Sequence, residues 1–248
     1  MFDPNISKQP SINIASIFRN SLTEIPARLA TIPPFLILIA PRHLRTERSY
    51  RYIIPDRKIK VDHHMVQLVC EKCNKTNHDP KDANNFYHCY DCSSRSSPSS
   101  TEEFVVSRCY DCINRKHNTE EIRNEHQLRQ VKDIVTLNLF AVLCIERCHY
   151  VAFVKCQKSS NEHEWLFFDS MSDREGNTKN IPSVTRVPDF EKWIADAEKD
   201  DELFKDMDRR RGPGLALSKE FPGDNMKKLR LFRDGAFFFY ENPTANYH

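Results

Sequence analysis

At 248 residues, with 39% apolar and 29% charged content, the chain has material for one sizeable hydrophobic core or two modest ones and reads as globular. Its net charge of +2 gives no global footprint for nucleic acid, and its apolar runs, such as Phe35 to Ala40, are too short to cross a bilayer. The start has no basic region leading into an apolar stretch, and six of the nine cysteines fall in Cys-x-x-Cys pairs; a cytoplasmic metal-binding protein is expected rather than a secreted disulfide scaffold.

From Ser11 to Leu22 the apolar residues Ile12, Ile14, Ala15, Ile17, Phe18 and Leu22 lie on one helical face and predict a short helix. Pro26, Pro33 and Pro34 break the chain, and Phe35 to Ala40 then predicts a strand buried on both faces and ended by Pro41. Arg42 to Lys60 is strongly basic around Tyr52, Ile53 and Ile54 and reads as a solvated strand or loop face.

Residues 63–130 form a compositional island that holds all six paired cysteines and six of the ten histidines. The pairs are Cys70 and Cys73, Cys89 and Cys92, and Cys109 and Cys112, followed by His117 and His126. Two intervening residues let both thiolates of a pair reach one ion at Zn–S bonds of about 2.3 Å, which leaves two tetrahedral positions for another pair. Eight ligands make two structural zinc sites, with His78 and His88 as rival ligands. Ser93 to Ser100 has no apolar residue to bury and predicts a flexible loop. With so little core of its own, the island depends on metal, at on the order of 10 kcal/mol of folding free energy per zinc site.

Beyond residue 131, Leu137 to Glu146, His149 to Cys156 and Trp165 to Ser170 predict an antiparallel meander, rich in β-branched and aromatic residues. With the hairpin centred near Ser159, His149 is expected directly opposite Asp169, their Cβ atoms about 5 Å apart. An imidazole and a carboxylate so placed are two-thirds of a nucleophilic triad. Pro188 to Asp208 carries a helical stripe of Phe190, Trp193, Ile194, Ala197, Leu203, Phe204 and Met207 that weakens near Lys199, Asp200 and Asp201. Arg209 to Gly214 stops it, and the run from Lys227 to Arg230 leads towards a buried final strand, Ala236 to Tyr240. The architecture is expected to be α+β.

The strings HYVAFVK and WLFFDSM, from His149 and from Trp165, resemble the His and Asp boxes of the ubiquitin-specific protease family. Leu139 to Glu146, Asn180-Ile181-Pro182, Phe35 to Leu38 and Pro41-Arg42 fit the same family. The resemblance implies a partial papain-like cysteine protease palm acting on ubiquitin or polyubiquitin, with His149 as general base, Asp169 as the residue that orients it and Ser170 as the polar residue following it. The order of three cysteine pairs and then two histidines resembles a B-box, whose ligand pairs interleave. By that resemblance Cys70, Cys73, Cys109 and Cys112 hold one zinc, Cys89, Cys92, His117 and His126 hold the second, and the module is open to protein partners. The implied domains are a first part of the palm at 1–62, the zinc insertion at 63–130 and the rest of the palm at 131–248.

The family places its nucleophilic cysteine near the amino end, after an Asn-rich box that this sequence lacks. Cys70 belongs to the zinc set, Cys148 and Cys156 lie at odd offsets from His149 along a strand, and Cys144 sits in the apolar run LFAVLCIE. Two expectations follow. One is an incomplete cysteine deubiquitinase that is inactive alone; the other is a non-catalytic ubiquitin-binding or scaffold protein derived from such an enzyme.

Overall fold

The computed structural model describes residues 11–25, 27–30, 32–41, 50–62, 64–70, 72–74, 76, 86–89, 108–116, 128–130, 133–146, 149–159, 162–171, 183–199, 204 and 223–245. In chain order the elements are β1 (Ser11–Asn13), α1 (Ile14–Glu24), β2 (Phe35–Ile39), β3 (Tyr52–Ile54), β4 (Lys58–Asp62), β5 (Phe86–Cys89), β6 (Arg108–Cys109), α2 (Tyr110–Lys116), β7 (Leu128–Gln130), β8 (Asp133–Glu146), β9 (His149–Ser159), β10 (Glu162–Asp169), β11 (Ser183–Arg186), α3 (Phe190–Lys199), α4 (Asp224–Asp234) and β12 (Gly235–Glu241). The mixture of helices and antiparallel sheet is the α+β class expected from the sequence. The chain divides into two compact units, one of Met1–Ser21, Phe35–Ile59 and Asn138–Glu241 and the other of Leu22–Pro34, Lys60–Leu137 and Asn242–His248.

The first unit is built on a sheet whose main path runs β11-β10-β9-β8-β12-β2, each neighbouring pair antiparallel. Its central meander follows from period-2 patterning. On β9, Val151 and Phe153 are buried, and on β10 Trp165 and Phe167 face the same core. Phe190 of α3 closes over them, stacked on Trp165 at 3.8 Å between ring centroids and 5.3 Å from Phe153. Trp193, Ile194 and Ala197 continue that face of α3 into the core.

Two local readings change. Ser11–Asn13 does not join the first helix but pairs in parallel with Tyr52–Ile54, so α1 begins at Ile14. The cause lies far away in sequence: the Asp56 carboxylate accepts hydrogen bonds from the Ala15 backbone N–H at 2.8 Å and from Asn13 Nδ2 at 3.2 Å, and so caps the helix start. β2, the last strand on the sheet path, is buried on one face only: Leu38 is covered while Phe35, Ile37 and Ile39 on the alternate face are exposed.

In the second unit, β5 sits between β6 and β7, and β6 runs directly into α2. One buried cluster consists of Leu68, Cys70, Phe86, Cys109 and Cys112, three of its five residues being cysteines. The serine-rich run at 93–100 lies outside the described residues.

Candidate functional site

His149 opens β9 and Asp169 closes β10, so adjacent strands deliver the two side chains to one end of the hairpin. They are not directly opposite. The ladder pairs Asp169 with Val151 and Phe168 with Ala152, because the hairpin turns about one residue later than centring at Ser159 gives, with a register irregularity between Glu162 and His163. His149 is therefore the diagonal neighbour of Asp169. A two-residue offset leaves both side chains on the same face, and a diagonal pair lies within reach of long side chains.

His149 Nε2 lies 2.5 Å from Asp169 Oδ1, and the histidine is only 5% exposed. The same carboxylate oxygen accepts the Met171 backbone N–H at 2.9 Å, while Ser170 Oγ donates to the Tyr150 carbonyl at 2.7 Å and fixes the strand end behind it. An ionised carboxylate only accepts, so Nε2 of the neutral ring carries the hydrogen and Nδ1 is left as a lone pair. Nδ1 is buried and has no hydrogen-bond partner. A buried acceptor with no donor is the atom a general base needs.

Behind the pair lies a buried charged network absent from the sequence reading. Arg230 of α4 donates through Nη1 to Glu146 and, at 3.1 Å, to Asp234, and through Nη2 to the His149 carbonyl at 3.3 Å. Arg233 donates to Glu146 at 2.8 Å and to Asp234 at 3.0 Å. The spacing of Arg230 and Asp234, four residues apart on a helix, was the available signal.

Among the described cysteines of the first unit, Cys144 lies opposite Val151 and so shares the face of His149, but it is fully buried. Cys156 pairs with Glu164 and points to the other face. Cys148 is outside the described residues.

The second cluster is of thiols. Cys70, Cys73, Cys109 and Cys112 have their sulfur atoms all within 4.8 Å of one another, with Cys73 Sγ 3.6 Å from Cys109 Sγ, and none is in a disulfide. Cys70 and Cys73 flank a tight turn closed by Asn74, whose backbone N–H reaches the Cys70 carbonyl at 2.8 Å and whose φ of 57° suits asparagine. Cys109 ends β6, and Cys112 lies in the first turn of α2. A tetrahedron with Zn–S bonds of about 2.3 Å has edges of about 3.8 Å, so the four thiols fit one ion of zinc's size and preference. The metal-free thiols differ. Burial pushes Cys70 up, but backbone N–H groups of Cys109, Cys73 and Lys72 outweigh it and bring the thiol down to about 6. Its neighbour Cys73 is the largest cause that drives Cys112 up to about 12, and burial raises Cys109. The side chain of Cys89, on β5, and residues Cys92, His117 and His126, with the rival His78, lie outside what is described, as does the side chain of His88.

No protein-family model matches the chain. A stretch of 112 residues is nevertheless 40% identical to proteins of one kind, and in that segment the chain is similar to ubiquitin hydrolases. Those relatives are the ubiquitin carboxyl-terminal hydrolase CYLD of Homo sapiens and of Mus musculus. The match covers 44% of this chain and 10% of each relative. None of the described helices is long and apolar enough to cross a membrane.

Proposed function

We propose that the chain is the palm and B-box-like zinc insertion of a papain-like ubiquitin-specific protease domain of the cylindromatosis type, cleaving isopeptide bonds in polyubiquitin together with a cysteine borne on sequence outside these residues. Residues 1–62 and 131–248 form the palm and 63–130 the insertion, in a cytoplasmic protein. The observation that carries the reading is the buried, partnerless Nδ1 of a histidine whose Nε2 is held by Asp169. In this mechanism Nδ1 takes the proton of the incoming thiol, and the thiolate adds to the carbonyl carbon of ubiquitin's terminal glycine. The C–N bond then breaks, the departing amine receives the proton from the imidazolium, and a thioester remains. Water attacks that thioester as Nδ1 takes its proton, and the C–S bond breaks to release the ubiquitin carboxylate and the thiol.

Cys70, Cys73, Cys109 and Cys112 hold one structural zinc in this reading, and Cys89, Cys92, His117 and His126 a second, and the finished module takes protein partners. Zinc supplies folding free energy there and no chemistry.

The test is hydrolysis of a carboxyl-terminal ubiquitin fluorogenic amide. The chain alone gives no turnover yet binds ubiquitin, and joining it to a segment that carries the family's cysteine box gives turnover abolished by His149→Ala. Turnover by the chain alone, lost in His149→Ala, with a ubiquitin electrophile recovered on Cys144, Cys148 or Cys156, overturns the need for an outside nucleophile. Absence of ubiquitin binding overturns the whole reading, and binding without turnover even after joining identifies a non-catalytic scaffold.

A further inference from the structure

We propose that Arg230 is a positioning residue for His149, its guanidinium clamping both strands at the residue that carries the base. The inference rests on the reading of His149 as that base. Glu146 and His149 are the last paired residues of β8 and β9, on either side of the connection between the strands. Arg230, 3% exposed, bonds the Glu146 side chain with one terminal nitrogen and the His149 carbonyl with the other. Asp234, 1% exposed, takes a further bond from Arg230 and sets the plane of the guanidinium from within the same helix. Arg233 bonds the same two carboxylates, Asp234 through Nε and Glu146 through Nη2. Two buried arginines are thus balanced by buried Asp234 and by Glu146 at the rim of the interior.

Attachment of α4 to the sheet does not require three buried charges and a fourth, on Glu146, that is only partly covered. Leu229, Leu231 and Phe232 already bury apolar surface from that helix, and a buried ion network stabilises little more than apolar residues of the same shape. What the network adds is direction. The imidazole is held at one nitrogen only, by Asp169, so the place of Nδ1 depends on how firmly the backbone of His149 is fixed. Arginine suits this because its planar fork addresses two acceptors at once, whereas a lysine ammonium on a flexible stem is a point charge that keeps the ion pair and loses the second grip.

The measurement is solvent exchange of the His149 Nε2 hydrogen, followed by nitrogen-resolved NMR on the full chain with zinc, alongside urea unfolding. In the unsubstituted protein this hydrogen is protected; if it is not, the Asp169 bond and the reading of His149 both fail, independently of Arg230. Arg230→Lys is expected to speed the exchange by roughly fivefold to tenfold, the factor an ordinary hydrogen bond supplies. Arg233→Lys, which disturbs the same carboxylates, is expected to lower stability comparably and leave the exchange unchanged. Equal effects of the two variants on exchange, or none from Arg230→Lys, overturn the proposal and leave the network as a structural tie. Should Arg230→Lys fail to fold, Arg230→Gln, which keeps one donor group without the charge, is compared with Arg233→Gln by the same criterion.

Discussion

Asp169 does two things with one oxygen: it receives the imidazole of His149 and, at 2.9 Å, the backbone N–H of Met171. Asp169→Asn keeps the shape but removes the charge that fixes the Nε2–H tautomer and steadies the imidazolium. In the protein joined to its cysteine-bearing segment, kcat is expected to fall by roughly a thousandfold to ten-thousandfold, with KM little changed, as when a triad aspartate becomes asparagine. Asp56 acts on stability instead, because it caps α1 from 41 residues away at Ala15. Asp56→Ala should lower unfolding free energy by about 1–2 kcal/mol, the upper range for a lost helix cap, and Asp56→Asn by less. Urea titration checks both; an unaltered midpoint for Asp56→Ala means the cap contributes nothing.

At the scale of elements, what was legible in the sequence had a local cause. β9 and β10 announce themselves by alternating apolar residues, and even spacing keeps His149 and Asp169 on one face in registers that differ by two residues, whereas a one-residue slip would separate them. The register itself was not legible, since it depends on the irregularity between Glu162 and His163, which has no signature in the apolar pattern. Helix α4 was missed because its buried face includes Arg230, Arg233 and Asp234, which a search for apolar periodicity counts as solvent-facing. The start of α1 was misplaced for a related reason: β1 pairs with β3, forty-one residues on, and propensity sees neither that partner nor Asp56. The thiols were visible because few other roles explain three cysteine pairs. The turn after Cys70 and the start of α2 each contribute one such pair, and their acidities set a pH dependence. Without metal at pH 7, Cys70, down at about 6, is mostly ionised, whereas Cys112, up at about 12, and the raised Cys109 hold their protons. Metal binding displaces those two protons, so affinity should rise by at least about a hundredfold per pH unit above neutrality. Below pH 6, Cys70 binds a proton too, and from these three thiols the dependence steepens to about a thousandfold per unit. Competition with a chromogenic chelator between pH 5 and pH 8 measures the slope; a flat response rules out thiolate ligation by this set.

The two units of the whole molecule are stabilised by different means. In the first, aromatic packing of Phe153, Trp165, Phe167 and Phe190 surrounds the strands that carry His149 and Asp169. In the second, three of the five residues in the buried cluster are cysteines, and the strands are short: four residues in β5, two in β6 and three in β7. Strands of that length do not hold together by ladder hydrogen bonds alone, and a metal ion held by the four thiols, as proposed, would add to what the described apolar contacts supply. A structural zinc is worth on the order of 10 kcal/mol, as much as the net stability of a whole domain. Chelation should therefore release the backbone amides of Phe86–Cys89 and Tyr110–Lys116 to fast hydrogen exchange while those of His149–Ser159 and Glu162–Asp169 stay protected. Elemental analysis before chelation should find about two zinc ions per chain, on the eight-ligand count. A single ion leaves the site of Cys70, Cys73, Cys109 and Cys112 standing and removes the second. Simultaneous loss of protection in both sets of segments would mean that metal stabilises the sheet bearing His149 as well, and that the role proposed for His149 is within reach of zinc-dependent control.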